Sequence, residues 1–192
     1  MLFQGRSRPV IGLDITTSSI KLIELSRSGD GYRVESYAAE PSPPNAINEK
    51  AIVDSQAVGE AVRRAVKRAG ARSKECAVAI SGDAAITKVI QMPRNLREAE
   101  LESQVEMQAD QYIPFPMEEV SFDFEVIGPS EKDPEMLDVL LVATRSENVE
   151  QRQAAVQSAG LATRIVDVEA FALENACRLL THQMPDGGMD RN

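Results

Sequence analysis

Three β-prone runs crowd into residues 9–40 and are joined by turns too short to carry a crossover. "PVIGLDIT" and "SIKLIEL" are apolar and β-branched, and "YRVESYAAE" alternates after the turn signal "SGDG" at 28–31. Strands linked this closely pair with their neighbours in antiparallel order, so the chain must open with a β-meander. Few architectures begin that way and then continue as this one does.

A proline-rich loop, "PSPPNAINEK", follows. Ser55 is placed to N-cap a helix whose stripe is Val58, Val62, Ala65, Val66 and Ala69, and Gly70 stops it. "ECAVAI" at 75–80 is apolar throughout after Glu75, the pattern of a strand covered on both faces. The first module therefore reads βββ-α-β.

A second pattern starts at Ala84. "AITKVIQM" is a strand, and Asn95 with Glu98 forms a capping box for a helix striped by Leu101, Val105, Ala109 and Tyr112. "IPFP" ends that helix, because neither proline can continue its hydrogen bonds. In "EVSFDFEVI", Val120, Phe122, Phe124 and Val126 point one way. "MLDVLLVAT" is a buried strand, Ser146 caps a helix that runs to Gly160, "ATRIVDVE" is a strand and "AFALENACRLLT" a helix. From residue 86 the order is β-α-β-β-α-β, a split βαβ unit inserted after the first module. The strand at 162–167 has two places open to it, the second sheet or a return to the first.

Composition limits function. The chain of 192 residues is 43% hydrophobic, enough for a core, and its net charge of −9 repels phosphate-rich partners. We therefore expect no nucleic-acid partner and no direct binding to an anionic membrane. It has no apolar run of eighteen residues and no signal-peptide core. Cys76 and Cys177 lie in apolar patterns and read as buried free thiols, and a single histidine, His182, argues against zinc. "LFQG" at residues 2–5 looks like the remnant of a protease site, so residues 1–8 read as tag or linker. The tail at 186–192 reads as disordered, and the chain as cut from something longer.

The chemistry-bearing stretch is "IGLDITTSSIKLIEL". Two readings fit its turn. One is an ordinary hairpin with solvated hydroxyls. The other is a nest of backbone N–H groups, joined by Thr16, Thr17, Ser18 and Ser19, that holds an anion beside Lys21. In the second reading Asp14 holds Mg²⁺ through water. Asp167 and Glu169, at a strand-to-helix junction, are either dipole-favoured acids or a water-orienting pair.

The loop "DITTSSIK" and the βββ-α-β order resemble the first half of the actin-like ATPases, the group of actin, DnaK-type chaperones, sugar kinases and FtsA. There the first phosphate loop reads D-x-G-[ST] with a lysine on the second strand. Asp14, Thr17, Ser18 and Lys21 match it, and Thr16 stands where the glycine would be. "MPRNLREAELESQVEMQADQ", "YIPFPMEEVSFDFEVI", "VAISGDAAITKVIQMP" and "LSRSGDGYRVESYAAEPSPPNAI" closely resemble the PilM-like proteins of type IV pilus assembly over residues 9–182.

That resemblance implies an α/β (mixed α+β) fold: an actin-like, ribonuclease H-like half-domain. Residues 9–83 and 164–185 would form subdomain 1A, and 84–163 an inserted βαββα subdomain of the 1C type. It implies a partial nucleotide site at Asp14, Thr16, Thr17, Ser18, Lys21 and Glu169, with Asp14 toward the metal. The second phosphate loop and the adenosine-contacting glycines of such proteins have no counterpart here. No ATP or Mg²⁺ cofactor is therefore expected in this fragment, only in a full-length relative, and the fragment is expected not to be an enzyme. It further implies a cytoplasmic scaffold of the pilus inner-membrane alignment complex, serving twitching motility at the inner face of the bacterial inner membrane. Its partner would be the N-terminal cytoplasmic peptide of a PilN-type protein, lying in the 1A/1C groove against Ile86, Val89, Ile90, Ile113 and Phe115. A homo-oligomer is left open. The alternatives are an actin-like ATPase or kinase, and an FtsA-like division protein.

Overall fold

The computed structural model describes residues 9–29, 31–49 and 51–180. The expected tag at 1–8, His182 and the expected disordered tail at 186–192 lie outside the described residues. In chain order the elements are β1 (Ile11–Ile15), β2 (Ser19–Ser28), β3 (Gly31–Pro41), β4 (Ile47–Asn48), β5 (Ala51–Ile52), α1 (Ser55–Ala69), β6 (Glu75–Ile80), β7 (Ala85–Pro93), α2 (Glu98–Ala109), β8 (Val120–Pro129), β9 (Met136–Arg145), α3 (Ser146–Ser158), β10 (Ala162–Val168) and α4 (Glu169–Leu180). The chain divides into two units. One joins Met1–Ser81 to Glu150–Asn192, and the other is Gly82–Val149.

The first unit is built on a five-stranded sheet in the order β10-β6-β1-β2-β3. The expected meander forms its antiparallel side, with β1 on β2 and β2 on β3. Beyond β1, strand β6 joins in parallel, and β10 joins β6 in parallel. Alternate side chains of these strands, Ile11, Leu13, Ile20, Leu22, Cys76 and Val78, meet Val58, Ala61, Val62 and Ala65 of α1 in one core. Ala155 and Val156 of α3 complete it.

Gly59 explains how close α1 and α3 come. A Cβ there would stand 2.0 Å from Ser158 Oγ and 2.6 Å from the Ala155 carbonyl oxygen. Arg63 beside it donates to the Ser158 carbonyl. Gly70 ends α1 in the left-handed conformation, φ 66°, as its position after the stripe requires. The N-cap is Asp54 rather than Ser55: its carboxylate accepts the Ala57 N–H at 2.9 Å, one residue earlier than the sequence pattern suggested.

A buried carboxylate holds the far end of this layer. Glu24 on β2 accepts the N–H groups of Ser73 at 2.9 Å and Arg72 at 3.2 Å, and the Ser36 hydroxyl at 3.2 Å. It pins the α1–β6 connection to the sheet.

Strand β6 is not covered on both faces as its composition suggested. Cys76, Val78 and Ile80 are buried, while Glu75, Ala77 and Ala79 are half-buried. The opposite face of the sheet carries a row in register, Ile165–Ala77–Gly12–Ile23–Tyr37. Ala77 and Ala79, small apolar residues on the less buried face, are what made β6 look uniformly apolar. Cys177 on α4 is also exposed, contrary to expectation, whereas Cys76 is buried. Every described residue of α4 keeps some exposure, so an apolar helical pattern did not imply a buried face.

The second unit is smaller. Its three strands lie in the order β7-β9-β8, all antiparallel. Leu101, Val105 and Ala109 of α2 pack with Ile90, Met92, Val139, Leu141 and Ala143. Tyr112 lies beyond the end of α2 and is exposed, so the predicted stripe is one member too long. The helix also begins two residues later than predicted: Glu100 Oε2 accepts the Arg97 N–H at 2.9 Å, closing the reciprocal bond that Glu98 was expected to make.

The boundary of the insert differs from the expected 84–163. Residues 150–163 belong to the first unit. Two facts cause this. The apolar pair Ala155 and Val156 of α3 is buried in the first core, and β10 takes its hydrogen bonds from β6. The split βαβ unit is therefore not closed by its last strand, which returns to the first sheet.

Candidate functional site

Parallel strands β1, β6 and β10 bring three carboxyl ends to one edge of the first sheet. In open α/β sheets this edge is where connecting loops gather ligand-binding groups. Two residues beyond the row Ile165–Ala77–Gly12 stand Asp167 on β10 and Asp14 on β1, on the same face of their strands. Thus two of the predicted acids come to one edge, and Glu169 follows directly as the first residue of α4.

The loop after Asp14 is closed on itself. The Thr16 N–H donates to the Ser19 carbonyl at 3.0 Å, and the Thr16 hydroxyl donates to the same carbonyl at 2.9 Å. The Ser19 N–H in turn donates to Thr16 Oγ1 at 3.2 Å, and the hydroxyls of Thr16 and Ser18 lie 3.3 Å apart. Ser42, from the proline-rich loop, donates its hydroxyl to the Thr16 carbonyl at 2.6 Å and its N–H to the Ser18 carbonyl at 3.2 Å. Thr16 is not among the residues with positive φ, so the position needs no glycine for its backbone. Its side chain instead ties the turn. Thr16 and Ser19 spend donors inside the loop, and with the Thr16 proton on the Ser19 carbonyl the Ser18 hydroxyl is the donor to Thr16 Oγ1, which leaves Thr17 as the better-placed hydroxyl for an anion.

Lys21 faces Asp14 across the β1–β2 ladder and donates to its Oδ2 at 2.8 Å. That hydrogen bond, and then the charge of Asp14, raise the Lys21 pKa above its ordinary value. The two predicted roles, a cation for phosphate and a carboxylate for a metal, are thus combined in one exposed ion pair.

Arg152 was missed by sequence reasoning. It is buried on α3, and its Nε donates to the Ala79 carbonyl at 2.7 Å, near the carboxyl end of β6. Burial lowers its pKa, and the charge of Glu169 opposes that shift. The signal was present: Arg152 is a lone cation on the same helical stripe as Ala155 and Val156.

The five predicted peptide contacts do not act together. Ile90, 3% exposed, and Ile113, 5% exposed, are core residues of the second unit. Ile86 and Phe115 are partly buried against that core. Val89 projects from the opposite face of β7 and is 57% exposed. Phe115 has an additional partner, the Arg145 guanidinium 4.4 Å from its ring centroid, a cation–π contact.

The family described as "Type IV pilus assembly protein PilM" matches residues 12–192. A solved PilM–PilN type IV pilus biogenesis complex contains a chain 30% identical to this one, with a TM-score of 0.80 over 94% of the present chain. The match takes up 53% of that chain, so the present sequence spans about half its length. The cytoplasmic domain of EpsL, an inner-membrane component of the Vibrio cholerae type II secretion system, shares the fold at 13% identity and a TM-score of 0.53, over 83% of this chain and 57% of the other. The β10-β6-β1-β2-β3 sheet with its inserted second unit defines a mixed α/β protein of the fold that these solved structures share. Within that class, the chain belongs to the PilM family of type IV pilus assembly proteins.

Proposed function

We propose that this chain serves as a partner-binding scaffold in type IV pilus assembly, taking the N-terminal cytoplasmic segment of a PilN-type inner-membrane protein and performing no turnover. The observation that carries the reading is its 30% identity, at TM-score 0.80, to a chain of a solved PilM–PilN complex. No helix among the described residues is long and apolar enough to cross a membrane. Location at the inner face of the membrane would then come through the partner. Ile86 and Phe115, both partly buried on the core side of the sheet, are the expected contacts that remain partly accessible there; Ile90 and Ile113 would act only by supporting them, and Val89, on the opposite face of β7, is set aside. Titration with a labelled PilN-type N-terminal peptide tests this reading.

Nucleotide is assigned a secondary place. Phosphoryl transfer needs donors, metal and water arranged around the phosphate from several sides. Thr17 and Lys21 would supply one side, with Asp14 toward Mg²⁺ and Glu169 at the edge; the opposing side would come from the rest of a full-length relative. ATP binding by this chain alone is therefore weak or undetectable, and hydrolysis is absent. An ATPase or kinase reading would instead require saturable micromolar binding of Mg-ATP in calorimetry.

A further inference from the structure

Net charge is divided unequally between the two units. Gly82–Val149 contains 15 acidic and 5 basic residues, while the remainder of the chain contains 15 acidic and 16 basic. The smaller unit accounts for the acidity of the whole protein.

Its sheet also has one face that no described element of the unit covers. Val139, Leu141 and Ala143 of β9 point to α2 and are buried, so Leu140 and Val142 point the other way. The register places Val89 of β7 and Glu125 of β8 on either side of Leu140, and Thr87 and Asp123 on either side of Val142. The result is a small apolar strip, Val89, Leu140 and Val142, bordered along β8 by two carboxylates. Neither Asp123 nor Glu125 has an ion-pair partner among the described residues.

We propose that this face docks a cationic amphipathic helix of a protein partner. Its apolar stripe would cover Val89, Leu140 and Val142, and Lys or Arg on one flank would meet Asp123 and Glu125. The reasoning is apolar exposure plus charge. An antiparallel sheet commonly leaves its second face to water under polar side chains, whereas this face carries Val89, 57% exposed, beside the half-buried Leu140 and Val142. The border charges favour a cationic occupant and disfavour nucleic acid or an anionic membrane. The surface is argued from the second unit alone and stands whether or not the PilN-type segment binds as proposed above.

The test uses the whole chain and a fluorescein-labelled synthetic helix of about 18 residues, with leucine on one face and lysine elsewhere, read by anisotropy. Its control is the same helix with glutamate in place of lysine. The lysine helix is expected to bind saturably and the glutamate helix not to bind. Val89→Ser and the double variant Asp123→Lys/Glu125→Lys should each weaken binding about tenfold. Charge reversal at Glu102 and Glu106, exposed on α2, should change it less than twofold. All these positions are exposed, so the variants retain the fold, which circular dichroism verifies. Failure of the lysine helix to bind overturns the proposal. An equal loss in the Glu102→Lys/Glu106→Lys protein also overturns it, because the attraction would then be diffuse.

Discussion

Lys21 Nζ lies 2.8 Å from Asp14 Oδ2, so the cation and the carboxylate expected to serve a nucleotide neutralise each other across a strand ladder. Both side chains are about half exposed, and exposed pairs of this kind contribute little to stability. Asp14 raises the Lys21 pKa, so the pair's stabilisation is complete below the unfolded lysine value near ~10.4 and is lost as pH rises through the raised folded value. Lys21→Ala should melt within error of the parent at pH 7, and its binding of the PilN-type peptide should be unchanged. A loss of peptide affinity in the folded Lys21→Ala protein would merge two sites that are kept separate here.

Gly59→Ala should be costly although alanine is the better helix former. The new methyl would meet both Ser158 Oγ and the Ala155 backbone oxygen, and overpacking of this kind costs about 1–3 kcal/mol. Adding Ser158→Gly should restore only part of the loss, because the Ala155 carbonyl stays in place. Urea unfolding of both variants gives the comparison, and a Gly59→Ala protein as stable as the parent would contradict the α1–α3 contact.

Glu24→Ala should destabilise by about 1–3 kcal/mol, since it orphans the Arg72 and Ser73 N–H groups in a part-buried site. Glu24→Gln retains an acceptor and should cost less. The difference is measurable in the same urea series.

The two thiols should behave oppositely. Burial pushes the Cys76 pKa up to about 11, whereas Cys177 is exposed. A thiol reagent at pH 8 should modify Cys177 in the native protein and reach Cys76 only after unfolding, as peptide mapping would report. Rapid native modification of Cys76 would contradict its place in the core.

The antiparallel half of the first sheet was legible because turns of two to four residues leave adjacent strands no other pairing. The insert's end was not legible at α3, which satisfies a second-module pattern by sequence and a first-module core by contact, whereas β10 took one of the two places the sequence left open to it. Ala155, Val156 and Val166 decide the matter only in three dimensions. Helix starts moved by one or two residues where several polar residues competed for a cap, as Asp54 and Ser55 do. The peptide set divides between faces for a reason the sequence did contain. Strand period two puts Ile86 and Ile90 on one face of β7 and Val89 on the other. Thr16 was read as a lost glycine, whereas in the fold it is the residue that ties its own loop.

The most direct measurement is a fluorescence titration of the labelled N-terminal cytoplasmic peptide of a PilN-type protein against this chain, with and without Mg-ATP. The account predicts saturable binding with the same Kd in both conditions, weakened by Phe115→Ala. Absence of binding, or binding that appears only with Mg-ATP, would contradict it.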